Sequence, residues 1–348
     1  MRLLITADPY LPVPPAYYGG IERVIALLVD GLVARGHEVT LLAHPGSRTP
    51  AELIPYGIPP HQGAMARTGE LVQAAVVAWA ARNTVDLVHS FGRLAALAPL
   101  LPRRRLPKVQ SYQRAVPWRG VARAVRLAGP SVHFTACSSS MYAARPAGTG
   151  DWHTVYNAVD LTRYPVALAV EPDAPLMFLG RLERIKGVHH AIAIARGAGR
   201  RLVIAGNRVT TPEGEAYFDD EIAPHLDDAV AYVGEVDDEA KARWLVGAAA
   251  LLMPIEWEEP FGIVMAEALA CGTPVIGFAR GSVPEVVVDG RTGFVCRTPE
   301  EAIASVARLD RIDRAACRDD AARRFSATAL IDAYERVYAA ALSQEPAA

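Results

Sequence analysis

Short apolar runs alternate with helically spaced ones along most of this chain. Arg2 to Ala7 reads as a strand that stops at Asp8, and a loop rich in Pro, Tyr and Gly follows it. Ile21, Val24, Ile25, Leu28 and Leu32 then keep the spacing of one helical face, and Gly36 ends that run before the strand His37 to Ala43. A strand, a loop, a helix and a strand in this order open a doubly wound parallel sheet. Strand-like runs at Val85 to Ser90, Lys108 to Ser111, His133 to Cys137 and Thr154 to Tyr156 extend it, which predicts a first α/β domain over residues 1–164. Beyond a Pro- and Ala-rich connector the pattern restarts with strand Leu176 to Leu179 and a helix from Gly187 to about Arg196. Strands Arg201 to Ala205, Val230 to Val233, Leu251 to Pro254 and Val275 to Phe278, with a helix at Glu239 to Val246, predict a second domain over 165–322. The polar-apolar tail, residues 323–348, is expected to be helical and to brace the two. Two Rossmann-like arrays facing across a cleft place the ligand in that cleft.

One stretch departs from simple patterning. Phe261 to Cys271 reads as a helix closed by Gly272 and Pro274, and it is apolar on nearly every side. Glu267 is the exception. A lone carboxylate among Ile263, Val264, Met265, Ala268 and Leu269 costs roughly several kcal/mol unless something partners it. Glu259 stands in the loop just before this helix. An Arg partner for Glu267 with a solvated Glu259 is one reading; a ligand site is the other.

Composition bounds the answer. The chain has 348 residues, 51% of them hydrophobic, with net charge −2, which suits two ordinary globular domains. No apolar run reaches the eighteen or so residues a bilayer span needs, and the N-terminus lacks the pattern of a signal peptide. Cys137, Cys271, Cys296 and Cys317 are scattered, which favours buried thiols in a reducing cytoplasm over structural zinc. Charge is uneven: Leu87 to Gly150 holds ten Lys or Arg and no acid, whereas Val209 to Ala240 holds eleven acids and no Lys or Arg. Such asymmetry can mark an anionic partner for the basic half.

Gly180-Arg181-Leu182-Glu183-Arg184-Ile185-Lys186-Gly187 follows the first strand of the second domain. Arg181 and Lys186 would project from the carboxyl edge of the sheet, where open α/β folds bind ligands. Two fixed cations there suit a diphosphate; two solvated surface cations are the plainer alternative. A vicinal diol such as a ribose offers two donors to one carboxylate, which Glu267 could accept. The start of the central helix at Phe261-Gly262-Ile263, and Gly19-Gly20 before the first helix, would add N–H groups for phosphate oxygens. Together these ask for a nucleoside diphosphate carrying something else.

In this order the motifs resemble the family 4 retaining glycosyltransferases of the GT-B fold. Glu259 and Glu267 frame E-P-F-G-I-V-M-A-E, similar to that family's EX7E motif. The likeness includes the Gly-Gly loop, D-L-V-H at Asp86 to His89, N-A-V-D at Asn157 to Asp160 and G-R-L-x-x-x-K-G at Gly180 to Gly187. It continues through G-T-P-V-I at Gly272 to Ile276 and G-S-V-P-E-V-V at Gly281 to Val287. The resemblance implies that Gly20 approaches a diphosphate bound by Arg181 and Lys186, that Glu267 takes ribose hydroxyls, and that Glu259 faces the donor sugar. It implies a UDP-linked donor, front-face transfer to an acceptor hydroxyl with retention, and no metal. The favoured setting is oligosaccharide or antibiotic biosynthesis of avilamycin type. A lipid or cell-envelope acceptor and a GT-B sugar-nucleotide epimerase are the alternatives.

Two departures from the family pattern stand out. Gln113 occupies a position where many members have His, and the chain is short, which implies a trimmed acceptor side. His89 is a weak acceptor-side candidate and equally a satisfied histidine at a strand end. The acid pairs Asp219-Asp220, Asp227-Asp228 and Asp237-Asp238 read as solvated surface, and His189-His190 are expected to diverge on their helix rather than share an ion. The basic segment Arg103 to Arg126 reads either as a solvated face or as a peripheral membrane contact. No motif supports nucleic acid, and no G-x-G-x-x-G supports a dinucleotide oxidoreductase.

Overall fold

The computed structural model of the chain describes residues 1–15, 19–57 and 65–343. It contains two compact units, Met1–Asn157 with Ala327–Ala348, and Ala158–Ser326. The first unit is built on a seven-stranded sheet with order β3-β2-β1-β4-β5-β6-β7. Its strands are β1 (Arg2–Thr6), β2 (Glu38–Ala43), β3 (Glu52–Pro55), β4 (Leu87–Ser90), β5 (Lys108–Tyr112), β6 (Val132–Ala136) and β7 (Asp151–Thr154). Every pairing is parallel, which demands crossovers over the sheet faces and explains why β4, β5 and β6 are buried along their whole length.

The second unit repeats the plan with six strands in the order β10-β9-β8-β11-β12-β13. They are β8 (Leu176–Leu179), β9 (Leu202–Ala205), β10 (Val230–Tyr232), β11 (Ala250–Met253), β12 (Val275–Phe278) and β13 (Gly293–Cys296), again all parallel. Two strands lack a clear periodic signal and go unread in the sequence. β3 is a half-exposed edge strand ending in Pro55, and β13 is only four residues long. The helix expected at Phe261–Cys271 spans Ile263–Ala270, with Gly262 as its N-cap.

The expected break after Tyr164 falls instead at Asn157, and side-chain caps give the reason. Arg318 donates to the carbonyls of Leu161 (3.1 Å) and Tyr164 (3.0 Å), and Arg314 Nε donates to Ala167 O (2.7 Å). These bonds tie residues 161–167 into the second unit. The helix Ala327–Ser343 belongs to the first unit, where Arg35 meets Asp332 at 2.6 Å and Glu335 at 2.5 Å, and where Tyr334 and Tyr338 are buried. In the basic segment, the helix Trp118–Ala128 buries Val121, Ala124 and Ala128 and turns Arg119, Arg123 and Arg126 outward. The apolar face that a membrane-docking helix needs is committed to the core. Among the described residues no helix is long and apolar enough to cross a membrane, and all four cysteines are buried.

Candidate active site

The carboxyl ends of β8 and β11 carry the two loops of interest in the second unit. After β8 the chain makes a short turn at Arg184–Lys186 and enters the helix Val188–Gly197. Gly187 permits this path: its φ is +75°, and a Cβ there would stand 1.9 Å from the carbonyl oxygen of Pro254. That close approach sets Lys186 beside the loop after β11. Lys186 Nζ lies 2.6 Å from Glu259 Oε2 and 4.5 Å from the centre of the Trp257 ring. Trp257 Nε1 donates to the same Glu259 oxygen at 3.1 Å. A second glycine braces the loop from behind. At Gly281 (φ +53°) a Cβ would fall 2.3 Å from Glu259 N, and Ser282 N–H donates to Glu259 O at 2.9 Å. Glu259 is therefore a buried, clamped acid rather than a solvated one.

The two cations are not equivalent. Lys186 is largely covered and held by two groups, the Glu259 carboxylate and the Trp257 ring, whereas Arg181 is half-exposed and pairs only with Glu183, at 2.8 Å, among the described residues. Gly180 N–H donates to Ala205 O at 3.1 Å, so it is spent on the sheet and not free for a ligand. Phe261 is buried edge-on against Phe325, while Gly262 and Ile263 form the half-buried start of the helix.

Glu267 is 3% exposed, and its partner is not an arginine. Oε1 receives Lys241 Nζ at 2.6 Å and Tyr164 OH at 2.7 Å. Oε2 is buried with no hydrogen-bond partner. A charged acceptor with one oxygen doubly bonded and the other bare is costly unless a further donor completes it. Lys241 and Tyr164 went unread in the sequence. Only the scarcity of lysine could have pointed to the first, since Lys108, Lys186 and Lys241 are the only three. All three are engaged: Lys108 is fully buried, donating to Arg103 O (2.9 Å) and Leu106 O (2.6 Å).

In the first unit, Gly19 is the N-cap of the helix Gly20–Ala34. That helix start already holds an anion. Glu22 is buried, and loss of water pushes its carboxyl above the usual range, opposed by a bond from its own N–H. A phosphate arriving there must displace or share this carboxylate, a competitor the glycines alone did not announce. His89 is a correction. It is fully buried, with Nδ1 2.7 Å from Tyr338 OH and Nε2 2.7 Å from Ser111 Oγ, and burial drives its pKa down to about 3. It is a satisfied core histidine, closed to an acceptor. Gln113 accepts from Asn157 Nδ2 at 2.8 Å and lines a cavity of about 430 Å³. Phe91, Leu94, Tyr112 and Leu127 make that cavity mainly apolar, with Arg93, Arg114 and Arg123 among its lining.

Residues 18–163 match the model of "Glycosyltransferase Family 4" and residues 165–327 that of "Glycosyl transferases group 1". Glycogen synthase of Mycobacterium tuberculosis is 28% identical over 85% of this chain and 82% of its own. Alpha-maltose-1-phosphate synthase of Mycolicibacterium smegmatis is 33% identical over 41% of each chain. The crystal structure of AviGT4, a glycosyltransferase involved in avilamycin A biosynthesis, superposes with TM-score 0.69 and 28% identity, covering 99% of this chain and 98% of that one. The chain is a group 1/family 4-like glycosyltransferase of the GT-B fold.

Within this glycosyltransferase the acid pairs serve structure. Asp237 caps the helix Asp238–Gly247 through Ala240 N (2.7 Å), Asp227 pairs with Arg196 (2.7 Å), and Asp219 faces Arg208 (3.4 Å). The histidine pair overturns its expectation. His189 and His190 do not diverge: their ring centres are 4.1 Å apart and both face Glu256. They sit in the first turn of their helix, where Tyr217 OH holds His189 Nδ1 at 2.8 Å and Phe278 packs edge-on against His190.

Proposed function

We propose that this glycosyltransferase is a retaining enzyme that moves a hexosyl group from a nucleoside-diphosphate sugar, expected to be UDP-linked, to a hydroxyl of its acceptor. The bare Oε2 of Glu267 carries this reading. A ribose diol supplies two O–H donors to an oxygen that otherwise has none, while Lys241 and Tyr164 hold the carboxylate in place. Lys186 has three N–H donors and gives one to Glu259, which leaves two for phosphate oxygens. Glu259 offers its other oxygen, Oε1, to hydroxyls of the donor sugar. Arg181, Gly262 and Ile263 complete the phosphate-binding set of the second unit, and Gly19 and Gly20 are a separate helix start of the first unit, where a phosphate would meet Glu22.

In the proposed transfer the bond from the anomeric carbon to the diphosphate breaks and a bond to the acceptor oxygen forms on the same face. The departing phosphate oxygen takes the acceptor proton, so no protein nucleophile is consumed. Lys186 stabilises charge that grows on the diphosphate, and because it is prepositioned it does so without reorganising. No step calls for a metal ion. The mainly apolar cavity of the first unit suits an acceptor with an apolar body, such as an antibiotic scaffold or a lipid.

A thermal-shift screen against UDP, GDP, ADP and dTDP tests the reading on the wild type and on Glu267→Ala. One nucleotide should raise the melting temperature of the wild type, and the variant should respond far less. Silence from every nucleotide, or an equal response from both proteins, refutes the ribose assignment.

A further inference from the structure

We propose that His189, His190 and Glu256 form a binding site for a zinc-type divalent cation that staples the Lys186 loop to the Glu259 loop. The inference does not rest on the glycosyl-transfer reading. Nε2 of His190 lies 3.0 Å from Glu256 Oε1 and Nε2 of His189 lies 3.6 Å from it, and one ligand atom from each residue falls within 4.8 Å of the others. Zinc bonds to imidazole nitrogen and carboxylate oxygen of about 2.0–2.1 Å imply tetrahedral ligand-to-ligand edges of roughly 3.4 Å. The two measured edges bracket that value, so an ion fits with shifts of a few tenths of an ångström on those edges and closure of the third.

The surroundings favour the ion. Tyr217 OH stands 2.8 Å from His189 Nδ1 and also accepts the His189 backbone N–H at 3.2 Å. With Nδ1–H donating to this hydroxyl, the ring is fixed in the tautomer that leaves the Nε2 lone pair for a metal, the usual work of an outer-shell partner. Glu256 is partly open to solvent, which leaves the fourth position for water. Two imidazoles and one carboxylate select zinc-like ions over magnesium or calcium, which prefer all-oxygen sites.

The segments joined are the ones that carry the site. Glu256 N–H already donates to Ile185 O at 2.9 Å, and Gly187 meets Pro254 with no room for a Cβ. An ion on the three side chains would lock this junction without touching the reacting atoms. The buried cysteines do not compete for it in the folded protein. The other histidine pair, His133 and His153 in the first unit, has ring centres 5.9 Å apart and serves as the control.

Chelator-treated full-length protein, without nucleotide, should bind one equivalent of Zn²⁺ in a calorimetric titration, and Zn²⁺ should raise its melting temperature. Co²⁺ in its place should give the visible spectrum of a tetrahedral nitrogen–oxygen site. His190→Ala and Glu256→Gln should each weaken binding at least tenfold, Tyr217→Phe by about tenfold, and His153→Ala not at all. The melting temperature of each variant in chelator shows whether it folds, and Glu256→Gln keeps the shape of the side chain. No binding by the wild type at millimolar Zn²⁺, or affinity unchanged in both His190→Ala and Glu256→Gln, overturns the proposal.

Discussion

Replacing Lys241 with Met tests whether the acid in the central helix depends on a partner that no motif names. Lys241 Nζ and Glu267 Oε1 are 2.6 Å apart, and their side chains are 14% and 5% exposed. At that separation and an effective dielectric of about 20, their attraction is about 6 kcal/mol, which is a ceiling because both charges also lose water. Removing one member of a buried pair typically costs about 3–5 kcal/mol, since the other charge is left behind. Tyr164 still donates to the same oxygen at 2.7 Å, which places Lys241→Met at the low end, near 3 kcal/mol.

Urea unfolding followed by a probe in the second unit reads this loss, and calorimetry with UDP reads the site. The Met variant should lose stability and bind nucleotide more weakly, because the carboxylate proposed to meet the ribose is no longer aimed. Glu267→Leu combined with Lys241→Met should recover part of the lost stability without recovering binding, as expected when the cost lies in a stranded charge. If Lys241→Met is as stable as the wild type and binds nucleotide equally well, the lysine is a bystander and the account of Glu267 fails.

Other perturbations separate the remaining roles. Lys186→Ala should lower kcat by about 10²–10³ while weakening donor binding less, if the lysine acts on charge that develops in the transition state; equal losses in steady-state kinetics and binding would show that it only holds the ground state. Gly281→Ala should cost about 1–2 kcal/mol for the left-handed backbone alone, and more because its Cβ meets Glu259 N at 2.3 Å; a variant with normal activity and urea midpoint would show that the Glu259 loop needs no brace. His89 should make the first unit acid-sensitive. The unfolded chain takes up a proton near pH 6.5 that the folded ring resists until about 3, so stability is lost as pH falls through that window. The gap of about 3.5 pH units corresponds to at most about 5 kcal/mol, and His89→Gln should flatten the slope of unfolding free energy against pH; an unchanged slope refutes it.

The fold was legible where periodicity was strong and the site where residue types were out of place. Leu176–Leu179 and Val275–Phe278 are strands with the limits their apolar runs suggest, because a strand buried on both faces shows its length as an unbroken run. Glu267 stood out because an acid in an apolar helix demands an explanation. What answers it was invisible. Lys241 lies on another helix and Tyr164 at what read as the end of the first domain, and only the folded chain brings them to one oxygen. The histidines mark the opposite failure. Helical geometry places neighbouring side chains about 100° apart, which argued for divergence. In a first turn the rings still have room to swing toward Glu256, and Tyr217 holds one of them there. Spacing rules describe Cβ positions along regular structure. At the ends of helices, where ligand sites concentrate, side-chain torsions and partners from distant loops decide which atoms meet, so a residue pair rejected on spacing alone can still converge.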